Sequence, residues 1–539
     1  MMSPYSKVKK SQSQPYRQQT LSFLDLLFFV VIFASLIIRV VNLDYNSAFN
    51  DEAIYIVIGR MGLYTSDWLS YGAKLWMAGL PYIYPVLSAL AYQTTGLLGT
   101  RFLNVIFGIV LVEEVYRLTL LFNLFDKKTN QVAALVAAFV SGFAATGIYV
   151  SKLATYDMLS FLLMMVGITS FLKARYYQNG KYYFISSISL LGAFLTKIVV
   201  AVFFPPLVVL SLLILKTRSK LHRQFAISYL YAPFFLGMAV YGIFNIQNFI
   251  TYVVTHRNLG VVEDYTTILE IIWRMSSISL LLSLPASLML ALQNKIKQTS
   301  ILLGLAAVIP LFHLLLHRYA TLDKHMYLTV IFLSVVIGYG ASLLIRGKLP
   351  KLGGHQDYRR LGAKIAITSP RLYAANQIRQ LNNTYRSVRI GQKSRVPVVI
   401  SSLLLVCLAI VYTRNSFQVV SELEHEWRNT SSLGSFLSQR VEPGDKVLTE
   451  NGGAVILILY DKIFPPTNIV TFDWINYSGI TDERAYLQAV KDEYFDIIEL
   501  DGQSEGNDIL RDGLRAEMSD KYSLIYTANN FEVYERKSS

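Results

Sequence analysis

Apolar stretches of about twenty residues recur along the chain, each broken by a few polar or charged positions. This spacing suits helices that cross a hydrocarbon core roughly 30 Å thick. The pattern predicts a mainly α, polytopic membrane protein with about eleven transmembrane helices. The first run, Leu21 to Val41, follows Lys7, Lys9, Lys10 and Arg17. It is longer than the apolar part of a signal peptide and lacks a small-residue cleavage site, so it reads as a retained helix. Asp25 and Arg39 lie near its ends, where long side chains can snorkel to the headgroups. The segment Pro81 to Gly99 reads as interfacial or re-entrant, because counting it as a crossing would invert every later loop.

Lysine and arginine set the orientation, since cytoplasmic loops carry the excess. The basic N-terminus belongs inside, with Lys127/Lys128, Lys173 to Lys181, Lys216 to Arg223, Lys295/Lys297 and the segment 346–395. Alternation then puts outside the loop 44–98, the turns Lys152 to Asp157 and Thr196/Lys197, the loop 247–268, and the turn "HRYATLDKH", His317 to His325. The segment 346–395 holds twelve Lys or Arg against one acid, which fits a cytoplasmic loop facing anionic lipid. After a last helix at 396–413 the bias reverses, with eleven Lys or Arg against twenty-two Asp or Glu over 415–539.

Composition agrees: of 539 residues, 53% are hydrophobic and only 16% charged, which excludes an ordinary soluble enzyme. The single cysteine, Cys407, lies in an apolar run and excludes an intramolecular disulfide. Five units follow: a cytoplasmic tail 1–20, a transmembrane core 21–345 with the large outer loop 44–98, the basic loop 346–395, the helix 396–413, and an acidic domain 414–539. In the last, "DKVLTENGGAVILILY", "FDIIELDG" and "YSLIYTANNFEVYER" read as short strands between turn signals, and "ERAYLQAVKDEY" as helix. The domain is expected to be an extracytoplasmic α/β or α+β module with a core of its own, covering the outer face or binding an acceptor. Its "NGG" at 451–453 reads as a turn.

The expected outer side collects most of the chemistry, and ionisable groups at membrane depth are costly enough to suggest function. Asp51 and Glu52 open the outer loop, Arg101 begins the second helix, Asp157 begins the fourth, and Lys197 sits between the fifth and sixth. His256/Arg257 and the group His317, Arg318, Lys324, His325 and Tyr327 follow later in the chain. Carboxylates and cations sharing one face suit transfer from a phosphate-linked donor. One carboxylate takes the acceptor's proton and cations offset charge on the leaving phosphate. A divalent metal on Asp51, Asp157 or His256 is conceivable, but no compact ligand motif demands it, and no cofactor is certain. The same residues also have plain readings. Asn50/Asp51 or Asp157 could cap helices, Lys197 could mark a tight turn, and the His/Arg pairs could anchor helix ends.

At these residues the chain resembles the GT-C superfamily of polytopic glycosyltransferases, especially protein O-mannosyltransferases and bacterial lipid A aminoarabinose transferases. The resemblance covers roughly residues 21–345. It rests on the order of "FNDEAIYIVIGRMG", "GLPYIYPVLSALAYQTTGLLGTR", "ATYDMLSF", "FLTKIVV" and "DKHMYLTV". It implies inverting transfer of a sugar from a polyprenyl-phosphate carrier to a lipid, protein or glycan acceptor on the outer face of a plasma (inner) membrane. Asp51 would be the leading base or acceptor-orienting carboxylate, with Glu52 and Asp157 assisting. Lys197, Arg257, Arg318, Lys324 and Tyr327 would meet the donor phosphate, and Arg101 and His256 would be secondary. Family members often carry Lys-Pro where this chain has "AGLPY", so Gly79/Leu80 supply no cation before Pro81. A flippase of lipid-linked sugars is the runner-up and should show internal repeats or broken helices; a non-catalytic envelope assembly protein is the other alternative. Nucleic acid is not an expected partner.

Overall fold

The computed structural model describes residues 23–68, 83–258, 264–346, 396–463, 465–472, 475–502 and 507–537, without the side chains of 252–258 and 396–401. The expectations for the N-terminal tail, for Gly79–Pro81, for most of the basic loop and for the side chains of His256 and Arg257 lie outside the described residues.

Helix α1 (Phe23–Val40) enters the bundle, and a short loop leads to α2 (Asn50–Thr65) and α3 (Ile83–Thr95). Then follow α4 (Leu97–Phe122), α5 (Lys127–Gly142), α6 (Ala145–Lys152), α7 (Asp157–Tyr177) and α8 (Gly180–Thr196). A 3-10 segment (Ile198–Phe203) leads into α9 (Phe204–Lys216), and a π turn joins α10 (Lys220–Ala226) to α11 (Ala232–Asn258). The bundle closes with α12 (Tyr265–Leu292), α13 (Ile296–Leu316), α14 (Leu322–Ile345) and α15 (Val396–Leu423). Among the described residues eight spans are long and apolar enough to cross a membrane, and α5 with α6, bent by 56°, make a ninth. The remaining two of the expected eleven are α4, which carries Arg101, Glu113, Glu114 and Arg117, and α8, which is 17 residues long. The last helix, expected to end at 413, continues ten residues further to Leu423.

Arg39 corrects one expectation. Instead of snorkelling outward it is fully buried, and its guanidinium donates to the Gly142 carbonyl at 2.6 Å and to Ser35 and Ser151 hydroxyls at 2.6 and 2.9 Å. The bend between α5 and α6 frees carbonyls at the end of α5; Arg39 satisfies that of Gly142, and the Tyr412 and Tyr327 hydroxyls satisfy those of Val140 and Ser141. The break is therefore filled by protein at that point.

Beyond α15 comes the C-terminal module: α16 (Ser431–Arg440), β1 (Val447–Thr449), α17 (Gly452–Leu459), β2 (Ile469–Thr471), α18 (Glu483–Lys491), β3 (Ile497–Asp501), α19 (Asp508–Met518), β4 (Tyr522–Ala528) and β5 (Phe531–Arg536). The sheet order is β2-β1-β3-β5-β4, parallel across the first three strands and antiparallel across the rest. The run "AVILILY", read as strand, is helical in α17. A short run apolar on every face carries no periodicity to tell helix from strand.

Strand alternation divides the module into two cores. Leu448, Val470, Ile498 and Leu500 pack on one sheet face with α18 and α19. Val447, Ile469, Ile497, Phe531 and Val533 pack on the other with α16, α17 and, from far along the chain, Ala53, Ile56, Val57 and Met61 of α2. The module thus shares its second core with α2 instead of closing one of its own. The opposite side of α2, Ile54, Tyr55 and Ile58, packs on Tyr84 of α3 and Leu159 of α7. Buried on both sides, α2 reads as apolar all round. At Gly59 it approaches α3 so closely that a Cβ would fall 1.9 Å from the Pro85 carbonyl oxygen.

Candidate active site

The helix ends on the module side of the bundle bring together residues far apart in sequence. Lys324 Nζ donates to Asp51 Oδ2 at 2.7 Å, and Lys197 Nζ is paired with Asp157 Oδ1. The two pairs are near enough for Asp157 to act electrostatically on Lys324, and Asp323, beside Lys324 in the first turn of α14, acts on both lysines, so three acids and two lysines form one group. Their exposure differs: the Asp51 side chain is 31% accessible, whereas Asp157 retains 2% and Lys197 8%. Asp51 is the more reachable carboxylate of the two ion pairs.

Local structure explains why Asp51 is available. The residue at the N-cap of α2 is Phe49, which offers no side-chain acceptor, and Glu52 instead reaches back to the Phe49 N–H at 2.8 Å. Glu52 thereby does the capping that Asn50 or Asp51 would otherwise do. Both Glu52 oxygens are occupied: Arg101 Nε and Nη2 donate to them at 2.9 and 2.8 Å, and the Ala154 N–H at 2.6 Å. Arg101 spends its other donors on the carbonyls of Leu43, Asn46 and Ser47 at 3.0 to 3.2 Å. This wholly buried pair holds the loop before α2 to the start of α4 and to the turn before Asp157. Grouped with the catalytic acids by resemblance, Glu52 is here enclosed and fully partnered.

Asp157 stands first in α7, and Lys197 is the C-cap of α8. Each charge complements its helix dipole. Asn104 of α4 holds the intervening turn, donating to the carbonyls of Leu153 and Thr155. Aromatic rings enclose the site: Tyr55 lies 4.4 Å from Tyr156 and 6.0 Å from Tyr84, and the lysines sit over Tyr156 and Phe49 at 4.8 and 4.6 Å. Burial raises Tyr55 well above the usual phenol range, so it is a neutral hydroxyl beside the acids. The spacing of charges gave no sign of Asn104, Tyr55 or Tyr156; a polar Asn inside the apolar α4 is the signal that could have singled out the first.

The other expected residues divide. His313 Nε2 and His325 Nδ1 are 2.9 Å apart, and His313 Nδ1 lies 2.8 Å from the Arg318 carbonyl oxygen, which ties Arg318 to the turn before Lys324. Among the described residues the Arg318 guanidinium has no ion-pair partner. His317 is turned toward Tyr265. Tyr327, expected at the phosphate, is instead in the bundle core, its hydroxyl donating to the Ser141 carbonyl at 3.2 Å and its ring against Gly147. One turn beyond Lys324, it faces the α5–α6 bend. Among the described residues no group of three or more His, Cys, Asp or Glu is arranged to hold a metal.

A cleft of about 500 Å³ opens in the seam between bundle and module, lined by Ser47, Ala48, Tyr92, Thr430, Ser431 and Ser435 among others. A larger cavity, about 800 Å³, lies near Asn179, Lys181 and Tyr229, and no acid lines it.

No protein-family model matches the chain, and neither does any curated protein sequence. Solved structures do. ArnT from Cupriavidus metallidurans in the apo state is similar with a TM-score of 0.56 at 14% identity, over 94% of this chain and 97% of that one. The same protein bound to undecaprenyl phosphate gives 0.52 at 14% identity, over 95% and 98%. The apo oligosaccharyltransferase of Archaeoglobus fulgidus gives 0.52 at 13% identity, over 96% of this chain and 74% of that one. Likeness over nearly the whole chain, module included, shows that this protein has the fold of ArnT and of the Archaeoglobus fulgidus oligosaccharyltransferase.

Proposed function

We propose that the protein is a polytopic membrane glycosyltransferase of the GT-C type that moves a sugar from a polyprenyl-phosphate carrier to a lipid, protein or glycan acceptor. The observation that carries the reading is Asp51, a reachable carboxylate held at 2.7 Å from the buried Lys324 beside a second acid–lysine pair. The acceptor's nucleophilic atom attacks the anomeric carbon, and its proton passes to Asp51. The bond from that carbon to the phosphate oxygen breaks with its electron pair, leaving polyprenyl phosphate. A single displacement of this kind inverts the anomeric centre, and a phosphate departs without needing a general acid. Lys324 orients Asp51, and with Lys197 it offsets charge on the phosphate. Arg318, without an ion-pair partner among the described residues, is a further cation for the phosphate. Glu52 and Arg101 hold the frame, and Tyr327 belongs to the core. That ArnT has been solved with undecaprenyl phosphate on the same fold supports the carrier class. The positive-inside pattern supports a plasma membrane location with the N-terminus cytoplasmic and the module outside.

Purified protein in proteoliposomes, given a panel of labelled polyprenyl-phospho-sugars and cell-envelope extract, is expected to release polyprenyl phosphate and a labelled product in equal amounts. Label that crosses the bilayer chemically unchanged would replace this reading with a flippase.

A further inference from the structure

Besides the apolar packing along α2, the C-terminal module makes a hydrogen bond to the head of that helix. The Gly453 N–H, in the first turn of α17, donates to Asn50 Oδ1 at 3.0 Å. The approach is so close that a Cβ on Gly453 would lie 2.2 Å from Asn50 Oδ1 and 2.8 Å from the Asn50 carbonyl oxygen. The turn that presents this N–H is itself braced from the sheet: the buried Glu499 accepts from the Thr449 hydroxyl at 2.6 Å and from the Asn451 N–H at 3.1 Å. The loop before Asn50 is held by the same half of the molecule. Asn46 donates to the Trp427 carbonyl at 2.9 Å, Trp427 Nε1 to the Ser47 carbonyl at 3.1 Å, and the Thr430 N–H to the Ser47 hydroxyl at 2.8 Å. Asn50 is not the cap of α2, so its side chain is free for this contact, and the next residue is Asp51.

We infer that Asn50 is a positioning residue: through Gly453, the module fixes the first turn of α2 so that Asp51 meets Lys324 and the acceptor. The inference rests on the reading of Asp51 as the base. A misplacement of about 1 Å can lower turnover up to about 100-fold. Transfer by the full-length protein in proteoliposomes should therefore show kcat lowered about 10- to 100-fold in Asn50→Ala and in Gly453→Ala, with donor KM within about 2-fold of wild type. The unfolding temperature of Asn50→Ala should stay within about 2 °C, because one hydrogen bond contributes little to a chain of this size. Asn50→Asp, which keeps an acceptor for the Gly453 N–H, should recover kcat to within about 3-fold of wild type. Wild-type kcat in Asn50→Ala, equal loss in Asn50→Asp, or a kcat loss that tracks a large fall in unfolding temperature would each overturn the inference. Asp51→Asn assayed alongside separates the two readings. If it turns over normally, the base assignment fails; if it is inactive while Asn50→Ala is normal, only the positioning role fails.

Discussion

Asp51 and Lys324 meet with the acid 31% exposed, whereas Asp157 and Lys197 meet with almost all of both side chains covered. The covered pair has its acid at the start of one helix, its cation at the end of another, and forty residues between them. The open pair joins residues 273 apart and sets Lys324 in the first turn of α14, the end of a helix dipole that disfavours a cation. Stability alone would not arrange that. A lysine placed against its helix dipole and turned toward a reachable carboxylate is what a charge-handling site requires. The covered pair supplies a rigid, precharged wall beside it.

Changing the covered pair should do the most damage to the fold. Asp157→Asn leaves Lys197 buried without its counter-charge, a loss of about 3–5 kcal/mol, and should lower the yield and unfolding temperature of detergent-extracted protein. Adding Lys197→Met should restore most of that stability without restoring transfer. Stability unchanged in Asp157→Asn would show that the pair is not closed as described.

A third buried acid, in the module, gives a pH signature. Burial pushes Glu499 up to about 7 from its usual 4.5, so the folded state holds this proton where the unfolded chain would release it. The stability it contributes is complete below the unfolded value and is lost as pH rises through about 7. The difference across that window is roughly 3 kcal/mol. Thermal melts of Glu499→Gln between pH 5 and 8 should be flatter than wild type by that amount; parallel curves would contradict it.

The open pair should matter least for the fold. Lys324→Met removes a partner from a partly exposed acid, so the stability change should be about 1 kcal/mol or less from the carboxylate's side, while transfer falls steeply. A variant that melts far below wild type would make Lys324 a structural residue like Lys197.

The spans and the acidic helix starts were legible because length, apolarity and charge in a single segment carry them. The two pairings were not, since neither 51 with 324 nor 157 with 197 leaves a local trace. Arg39 was misread because an arginine at a helix end looks the same whether it faces lipid or a neighbour's broken carbonyls. Tyr327 lies three positions from Lys324 with its hydroxyl bonded to the Ser141 carbonyl, a direction that the sequence does not reveal. The "NGG" reading missed a helix N-terminus because the partner that needs Gly453, Asn50, lies some four hundred residues earlier. The division within "NDE" also needed the structure, which shows Asn50 bound to the module, Asp51 open beside Lys324, and Glu52 sealed against Arg101.

The central claim is that Asp51 takes the acceptor's proton. The most direct test is single-turnover transfer from a labelled polyprenyl-phospho-sugar by wild type and Asp51→Asn in proteoliposomes, with unfolding temperature measured on the same samples. The account predicts a rate loss of about 10²- to 10⁴-fold in the variant with the fold intact. Turnover at the wild-type rate by folded Asp51→Asn would contradict it.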